Sequence, residues 1–495
     1  MMLVHELSHN GIPSDIAIRD HGRQFTYQEL TDSIASCRNY LYEAGVRLGD
    51  RVGIFSKNNA EYIFAYMAIV SLGAIAVPIN FQLSSRETAF ILKDAGIRHL
   101  ITHKTLDLGK SLASLGCNAE ITQHDITGIV SSAAKPAPSL PEDFDENKPA
   151  VIIYTSGTTG SPKGAMLSHK NLICNADQML DVLNGKRTHR ILCVLPMYHC
   201  FGWTCSVLYP LLRGARIVIL DAFVPKETIE TIRSEKITDL YVVPSICSLL
   251  TRTASPEDLS SIRLVISGGT TLPLKIEEDF AKKFGLSISE GYGLSEASPV
   301  VCFNPIGKNK NGSIGKSLKN IEWRLVDTEG NDVPLGEAGE FIVKGPNVML
   351  GYWNQPEATS NTLRDGWLHT GDVAKADEEG YVYIVDRIKD MIISMGENIY
   401  PREVEELIYQ FPGIKEAAVI GIPDKLRGQA GACFYALQEN AECDVHELKK
   451  FLQNNLALYK VPREFHELPA LPRTTTGKIA KRILLEEFTK KQKES

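Results

Sequence analysis

In the stretch "AVIIYTSGTTGSPKGAMLSH", residues 150–169, an apolar run leads into a loop rich in glycine and hydroxyl side chains. Glycine costs backbone entropy and adds no packing, so such a loop typically lets its backbone approach a ligand closely. Free backbone N–H groups, hydroxyls and the amino group of Lys163 are all hydrogen-bond donors. The stretch therefore predicts a loop that binds a negatively charged group.

Short β-branched runs alternate with amphipathic segments on both sides of this loop. The runs are "RVGIFS" from Arg51, "AIAVPIN" from Ala74, "HLITH" from His99, "RIVIL" from Arg216, "DLYVVPS" from Asp239 and "RLVISGG" from Arg263. The segments between them, such as residues 27–45, are apolar at three- and four-residue spacing, and that one ends in glycine. The alternation predicts an α/β fold of parallel sheets covered by helices on both faces.

The residue pattern changes twice along the chain. Residues 133–149 are rich in proline and acid and are typical of an exposed connection. Residues 312–387 show short alternating strands with glycine and aspartate turns, which predicts a β-rich subdomain. We therefore expect a large domain over residues 1–387, including that subdomain, and a small α+β domain over residues 388–495.

The composition excludes several classes of protein. A chain of 495 residues with 43% hydrophobic and 23% charged residues is typical of a soluble protein of several domains. A net charge of -7 argues against a nucleic-acid binder. The ten cysteines show no C-x-x-C or metal-ligand spacing, which is typical of a reducing compartment. The first residues do not resemble a secretory signal, and no apolar run approaches the roughly eighteen residues of a membrane span, so we expect a cytoplasmic protein.

The glycine-rich loop is not a P-loop, because Lys163 follows Gly160 by three residues and is itself followed by Gly164. The whole string instead resembles the signature of the acyl-adenylate-forming enzymes, which include acyl-CoA synthetases, firefly luciferase and peptide-synthetase adenylation domains. The resemblance implies that the loop holds the β- and γ-phosphates of ATP as pyrophosphate leaves. The residues that it assigns to this role are Thr155, Ser156, Gly157, Thr158, Thr159 and Lys163.

A second string, "SEGYGLSEASP" (residues 289–299), resembles the adenine and metal motif of this family. By this resemblance, Gly291 and Tyr292 border the adenine and the acyl carboxylate. Ser295 keeps the hydroxyl of the threonine that is usual there. Glu296 is implied to hold Mg²⁺ against the phosphates, a bridge typical of that hard ion.

The string "SGGTTLP" from Ser267 matches the turn on which the adenine stacks in this family, with Gly268, Gly269 and Thr270.

A third string, "GWLHTGDVAKADEEGYVYIVDRIKD" (residues 366–390), supplies the implied sugar site. The resemblance assigns Asp372 to the two ribose hydroxyls and Arg387 to the same sugar and a nearby phosphate. A carboxylate suits a vicinal diol because it offers two acceptor oxygens. Lys389 falls at the position of the hinge between the two domains.

Two motifs in the small domain resemble segments that, in this family, act in successive half-reactions. "SMGENIYPREVE" (residues 394–405) resembles the loop that enters for the second half-reaction, where Gly396 leaves room for the pantetheine arm of CoA. "PRTTTGKIAKR" (residues 472–482) places Lys478 at the position of the catalytic lysine. The implied reaction forms an acyl-adenylate from ATP with Mg²⁺ and then a CoA thioester, and rotation of the small domain about Lys389 separates the steps. The predicted catalytic residues are Lys478, Glu296, Lys163 and His199.

The acid is the least determined part of the prediction. "LPMYHCFGW" (residues 195–203) resembles the segment where acyl- and aryl-CoA synthetases have a gate, here His199, although an ordinary core histidine is the alternative. The segment has no aspartate of the kind that binds the amine of an amino acid. Gly293 stands where relatives that activate acetate or propionate have tryptophan, so it predicts an open tunnel. We expect a medium- or long-chain fatty acid, with an aryl acid as the alternative.

The predicted partners are small molecules: the acid, ATP and CoA. An acyl carrier protein is the alternative acceptor, as in fatty acyl-AMP ligases, but no extra block interrupts residues 372–389, which favours CoA. Peripheral contact with a membrane and a homodimer are both compatible with the sequence.

Overall fold

The computed structural model of the chain describes residues 2–131, 135–155, 162–183, 185–395, 397–424, 426–473 and 479–494. In the large N-terminal part, the strands are β1 (Ile16–Asp20), β2 (Arg23–Thr26), β3 (Arg51–Phe55), β4 (Ile75–Pro78), β5 (His99–Thr102), β6 (Thr122–Asp125), β7 (Pro149–Thr155), β8 (Lys163–Ser168), β9 (Arg190–Cys193), β10 (Arg216–Ile219), β11 (Asp239–Val242), β12 (Leu264–Ser267), β13 (Ile288–Gly293), β14 (Val300–Phe303) and β15 (Lys316–Ser317). The helices there are α1 (Tyr27–Glu43), α2 (Ala60–Ser71), α3 (Ser85–Ala95), α4 (Gly109–Ser114), α5 (His169–Leu183), α6 (Cys200–Trp203), α7 (Tyr209–Arg213), α8 (Pro225–Glu235), α9 (Pro244–Thr253) and α10 (Leu274–Phe284). A π-helix, Thr204–Leu208, joins α6 to α7.

These strands form two sheets. The nine-stranded sheet has the order β15-β14-β13-β12-β11-β9-β10-β1-β2, parallel from β13 to β1 and antiparallel at both edges. The seven-stranded sheet begins at an edge strand, β18 (Gly351–Tyr352), and continues as β8-β7-β4-β3-β5-β6. The predicted parallel α/β architecture is confirmed, and the antiparallel edges are an addition that the apolar runs alone did not indicate.

Helix α2 lies between the two sheets, where it contacts β1 of one sheet and β3 and β4 of the other. Each of its residues is buried, which explains why the helix is apolar all round instead of amphipathic. Its one carboxylate, Glu61, forms an ion pair with Arg23 of β2. The side chain of Asn59 caps the helix, because its Oδ1 accepts from the backbone N–H of Tyr62 at 2.7 Å.

The predicted β-rich region forms a five-stranded antiparallel sheet. Its elements are β16 (Glu322–Val326), β17 (Gly339–Lys344), α11 (Pro356–Thr362), β19 (Leu363–Arg364), β20 (Trp367–Ala376) and β21 (Val382–Arg387). The strand order is β16-β17-β20-β19, with β21 paired to β20 on the other side. Strand β18 leaves this region and pairs with β8, which brings Tyr352 opposite Ala165.

The C-terminal part has its own sheet and core. Its elements are β22 (Ile392–Ser394), β23 (Glu397–Ile399), α12 (Pro401–Gln410), β24 (Ile414–Asp424), β25 (Gly428–Leu437), α13 (Val445–Asn455), β26 (Glu464–Glu467) and α14 (Lys481–Glu494). Two hydrophobic clusters of this part draw their buried members from residues 392–488. A separate core of this kind is what a small α+β domain requires. Among the helices of the described ranges, none is both long and apolar enough to cross a membrane.

Candidate active site

The candidate site lies at one edge of the nine-stranded sheet. Strands β9, β11, β12 and β13 run parallel, so their carboxyl ends meet at the same edge. His199 lies in the segment after β9, Gly268 follows β12, and Tyr292 lies at the end of β13. Open α/β sheets bind ligands beyond the carboxyl ends of their strands. The topology therefore gathers residues that the sequence places in separate motifs.

The glycine-rich loop is held at its base by a pair of antiparallel strands. Thr155 is the last residue of β7 and lies opposite Lys163, the first residue of β8. Ser156, Gly157, Thr158 and Thr159 lie outside the described residues, so their contacts with phosphate stay predictions.

Tyr352 connects the lysine of this loop to the predicted metal ligand. The Nζ of Lys163 lies 5.1 Å from the centre of the Tyr352 ring, within the range of a cation–π contact. The Tyr352 hydroxyl donates to Oε1 of Glu296 at 2.8 Å. Burial, together with the Glu296 carboxylate, raises the pKa of the Tyr352 phenol, so the hydroxyl remains a donor. Tyr352 lies outside the motifs predicted from the sequence, and its only local signal was "GYW" at residues 351–353.

Asp372 contacts both of the other residues predicted to border or bind the adenosine, Tyr292 and Arg387. The hydroxyl of Tyr292 donates to Oδ2 of Asp372 at 2.5 Å, and Nε of Arg387 donates to Oδ1 of the same carboxylate at 3.0 Å. Asp372 and Arg387 are cross-strand partners in β20 and β21. Burial of the phenol and the nearby carboxylate raise the pKa of Tyr292. The arrangement places the buried Asp372 carboxylate, which can accept from ribose hydroxyls, beside the Arg387 guanidinium, which can bind a phosphate.

Two predicted glycines lie where a side chain would meet close neighbours. A Cβ on Gly268 would lie 3.2 Å from both the carbonyl oxygen of Gly291 and Cζ of Phe201. A Cβ on Gly293 would lie 2.2 Å from the carbonyl oxygen of Pro299. The close approach of β13 to the following segment therefore explains Gly293 independently of any tunnel.

The adenine turn also contains a position whose backbone conformation favours glycine. Gly269 has a φ of 80°, in the left-handed region that favours glycine. Thr270 follows it at the same edge of the sheet.

His199 caps the short helix α6. Its Nδ1 accepts from the backbone N–H of Phe201 at 3.2 Å, which fixes the plane of the ring and assigns the proton of a neutral imidazole to Nε2. The neighbouring Cys200 Sγ lies 3.3 Å from Oγ of Ser295. This contact joins the predicted gate segment to the predicted metal motif, and the role of His199 as a gate stays a prediction.

Two fully buried asparagines hold the segment that follows Glu296. Asn175 forms two hydrogen bonds with the backbone of Val300, at 2.9 Å to its N–H and 2.7 Å to its carbonyl oxygen. Nδ2 of Asn347 donates to the carbonyl oxygen of Ala297 at 2.8 Å. Neither residue was predicted from the sequence, because a single asparagine outside a motif gives no signal.

The predicted hinge lies in a turn directly after β21. The backbone N–H groups of Asp390 and Met391 both donate to the carbonyl oxygen of Arg387. Lys389, which lies between Arg387 and Asp390, is exposed. Gly396 and Lys478 lie outside the described residues, so both stay predictions.

The donor set fits Mg²⁺ and ATP. No group of three metal-ligating side chains occurs among the residues that the structure describes. Mg²⁺ does not require one, because it is commonly bound by one or two carboxylates with substrate phosphates and water. Glu296, oriented by Tyr352, whose ring also contacts Lys163, matches that pattern.

Comparison with known proteins identifies the family. The model of the AMP-binding enzyme family matches residues 7–353, and the model of the AMP-binding enzyme C-terminal domain matches residues 403–478. The chain belongs to the AMP-binding enzyme family. Its members among the relatives are named as CoA synthases and CoA ligases, and this chain is an acyl-CoA synthetase that acts through an acyl-adenylate.

Individual members of the AMP-binding enzyme family match nearly the whole chain. A feruloyl-CoA synthase from Amycolatopsis sp is 38% identical over 475 residues, covering 95% of both chains. A long-chain-fatty-acid–CoA ligase from Bacillus subtilis is 36% identical over 521 residues, covering 96% of this chain and 92% of the other. The ATP-bound crystal structure of MatB from Rhodopseudomonas palustris superposes with a TM-score of 0.92 at 29% identity, covering 98% of this chain and 99% of MatB. These matches agree with the predicted fold and family.

Proposed function

We propose that this acyl-CoA synthetase activates a bulky, largely apolar carboxylic acid with ATP and transfers the acyl group to CoA. One observation carries the proposal. Tyr292 and Glu296 lie four residues apart, and each holds a different part of the site. Tyr292 contacts the predicted ribose carboxylate Asp372, whereas Glu296 contacts Tyr352 beside the loop lysine. We infer that the α-phosphate of ATP lies between the two contacts.

The first step joins two anions. A carboxylate oxygen of the acid attacks the α-phosphorus of ATP, the bond from that phosphorus to the bridging oxygen breaks, and pyrophosphate leaves with the electron pair. Lys163 places a positive charge at the base of the phosphate loop, and the predicted Lys478 would add a second. Mg²⁺, when bound at Glu296, supplies further charge neutralisation for the phosphates.

The second step transfers the acyl group. The thiolate of CoA attacks the acyl carbonyl carbon, and the bond from that carbon to the AMP oxygen breaks. This step needs little general-base assistance, because thiols ionise readily. Entry of the Gly396 loop and rotation about Lys389 are the predicted means by which the enzyme exchanges one set of groups for the other.

Two classes of acid are candidates. A medium- or long-chain fatty acid is supported by the relative from Bacillus subtilis, which is named for that substrate. An aryl acid is supported by the relative from Amycolatopsis sp, named as a feruloyl-CoA synthase. Gly293 does not distinguish them, since the carbonyl of Pro299 already excludes a side chain at that position.

The proposal is tested by measuring acid-dependent release of pyrophosphate, and then CoA-dependent release of AMP, with acids from acetate to palmitate and with cinnamate and benzoate. We expect the longer or aromatic acids to react best and acetate worst. Glu296→Gln should lose most of the first step, whereas the exposed control Glu337→Gln should keep it. Pyrophosphate release without formation of a CoA thioester would indicate that the acceptor is an acyl carrier protein instead of CoA. No acid-dependent pyrophosphate from any acid would overturn it.

A further inference from the structure

Two neighbouring residues at strand β18 hold the base of the glycine-rich loop from opposite faces. The side chain of Tyr352 contacts Glu296, as described above. Trp353, the next residue, donates its backbone N–H to the carbonyl oxygen of Gly164 at 2.8 Å and its indole N–H to the carbonyl oxygen of Asp94 at 3.1 Å. Successive side chains along a strand point to opposite faces. One face of this segment therefore contacts the predicted metal ligand, and the other contacts the end of helix α3.

Tyr154 contacts the same helix from the other strand at the base of the loop. It directly precedes Thr155 in β7 and lies opposite Gly164 of β8. Its hydroxyl donates to Oδ2 of Asp94 at 2.5 Å. A Cβ on Gly164 would lie 3.2 Å from Cζ of Tyr154 and 3.4 Å from Cβ of Trp353, so these two side chains flank the bare backbone of Gly164. Asp94 thus binds both of them, one through its carboxylate and the other through its carbonyl group.

The stability of helix α3 does not explain the carboxylate of Asp94. Asp94 is the penultimate residue of this helix, where a negative charge opposes the helix dipole. Arg51 satisfies the last carbonyl groups, because its guanidinium donates to the carbonyl oxygens of Ala95 at 2.8 Å and Gly96 at 3.1 Å. A carboxylate accepts hydrogen bonds and cannot bond to these groups. The role of the Asp94 carboxylate therefore lies in its bond to Tyr154.

We propose that Asp94 is a positioning residue for the β- and γ-phosphates of ATP. Thr155 follows Tyr154 directly, and Lys163 lies opposite Thr155 across the strand pair, so these two predicted phosphate ligands form the base of the loop. Asp94 fixes this base against helix α3 through Tyr154 and Trp353. A group that is already held in its binding geometry loses less entropy when the ligand binds. This inference rests on the proposed function, because it concerns the ATP site of that reaction.

The test compares two nucleotides that differ in the phosphates that the loop is predicted to hold. α,β-Methylene-ATP carries the β- and γ-phosphates and cannot release pyrophosphate, whereas AMP lacks both of them. Isothermal titration calorimetry of the whole enzyme with Mg²⁺ measures the Kd of each nucleotide. In Asp94→Ala we expect the affinity for α,β-methylene-ATP to fall about tenfold or more and the affinity for AMP to change less than about twofold, because only the phosphate loop is displaced.

Three further variants test the role of the hydrogen bond. Asp94→Asn keeps an acceptor for the Tyr154 hydroxyl and should bind both nucleotides nearly as the wild type does. Tyr154→Phe should reproduce Asp94→Ala, and the double variant should bind no more weakly than either single one, because both changes remove the same bond. Tyr383→Phe is the matched control, since it removes a tyrosine hydroxyl that donates to Oδ2 of Asp377 at 3.1 Å, and it should leave both Kd values unchanged.

The outcomes separate this inference from the proposed function. An equal loss of affinity for both nucleotides in Asp94→Ala and Tyr154→Phe, or no loss for either, would overturn the role of Asp94. The proposed function would then still stand if the wild type releases acid-dependent pyrophosphate. If Asp94→Ala does not fold, Tyr154→Phe carries the same test. A wild type that releases no pyrophosphate with any acid from acetate to palmitate, cinnamate or benzoate would overturn the proposed function itself.

Discussion

The hydroxyl of Tyr352 donates to Oε1 of Glu296 at 2.8 Å, and the ring of the same tyrosine faces Nζ of Lys163 at 5.1 Å. One side chain thus orients the candidate Mg²⁺ ligand and contacts the cation of the phosphate loop. Tyr352 reaches this position because the two-residue strand β18 pairs with β8, the strand that Lys163 begins. Glu296 is therefore held by a residue 56 positions away in the sequence.

Removing this hydroxyl should weaken the metal site. In Tyr352→Phe we expect kcat/KM for the first step to fall about 10- to 100-fold, as for other residues that orient a metal ligand. The Mg²⁺ concentration needed for the half-maximal rate should rise. Pyrophosphate release over a range of Mg²⁺ concentrations measures both effects. Tyr381→Phe is the matched control, because Tyr381 also donates its hydroxyl, to the carbonyl oxygen of Lys308, and also faces lysine side chains. Equal Mg²⁺ dependence in both variants would contradict the role of Tyr352.

The Asp372 carboxylate should determine recognition of the sugar. The wild type should prefer ATP to 2′-deoxy-ATP by about tenfold or more, since a hydrogen bond to a charged group contributes roughly 1.5–3 kcal/mol. Asp372→Asn should reduce this preference and raise the KM for ATP. Asp377→Asn, which removes a carboxylate paired with Lys310 in the same part of the chain, should keep it. An unchanged ratio in Asp372→Asn would place the ribose elsewhere.

The candidate site residues were predicted from contiguous motifs, and the contacts that join these motifs were not predicted. The strands from Arg51, His99 and Arg216 and the helix from Tyr27 were predictable, because local hydrophobic periodicity specifies them. The contact of Tyr292 with Asp372 spans 80 residues and depends on how the β-rich sheet packs against the nine-stranded one. Hydrophobic periodicity is local and gives no information about that packing.

Residues outside the motifs escaped prediction for the same reason. Tyr352 acts from a strand of two residues, and Asn175 acts from within a helix whose pattern indicates only packing. Gly293 was predicted to open a tunnel, but its closest neighbour is the backbone of Pro299. A glycine in a sequence shows that a side chain is missing, without showing which neighbour excludes it.

The Pro299 contact predicts the effect of a side chain at Gly293. In Gly293→Ala the new Cβ would lie 2.2 Å from the Pro299 carbonyl oxygen and 3.2 Å from Cα of Val300, both of which are backbone atoms. We expect a loss of about 1–3 kcal/mol in the free energy of unfolding, typical of overpacking. Thermal melting measures it. Gly109→Ala is the control, because a Cβ at Gly109 meets nothing within 4 Å. Equal melting temperatures in the two variants would contradict the observed approach of the backbones.

Glu290 predicts a pH dependence of stability. Burial raises the pKa of Glu290 to about 7 from an ordinary 4.5, and the charge of Arg402 in the small domain acts in the opposite direction. Between these two pH values the folded state keeps a proton that the unfolded chain releases, so this group lowers stability as the pH rises from 4.5 to about 7. Its contribution stays low at higher pH.

Glu290→Gln removes this titration and keeps an acceptor for the backbone N–H of Leu272, which lies 3.2 Å from Oε1. The melting temperature of the variant relative to the wild type should therefore increase from pH 5 to pH 8. The exposed Glu337→Gln should show no such trend. A difference between Glu290→Gln and the wild type that is constant with pH would refute the raised pKa.

Isotope transfer shows whether the acid attacks the α-phosphorus of ATP. The acid is labelled with ¹⁸O in both carboxylate oxygens, and the nucleotide and thioester products are analysed by mass spectrometry after reaction with CoA. Attack at the α-phosphorus should give AMP that carries one ¹⁸O in its phosphate and a thioester that keeps the other. Formation of ADP with the label in inorganic phosphate, or of AMP without label, would contradict it.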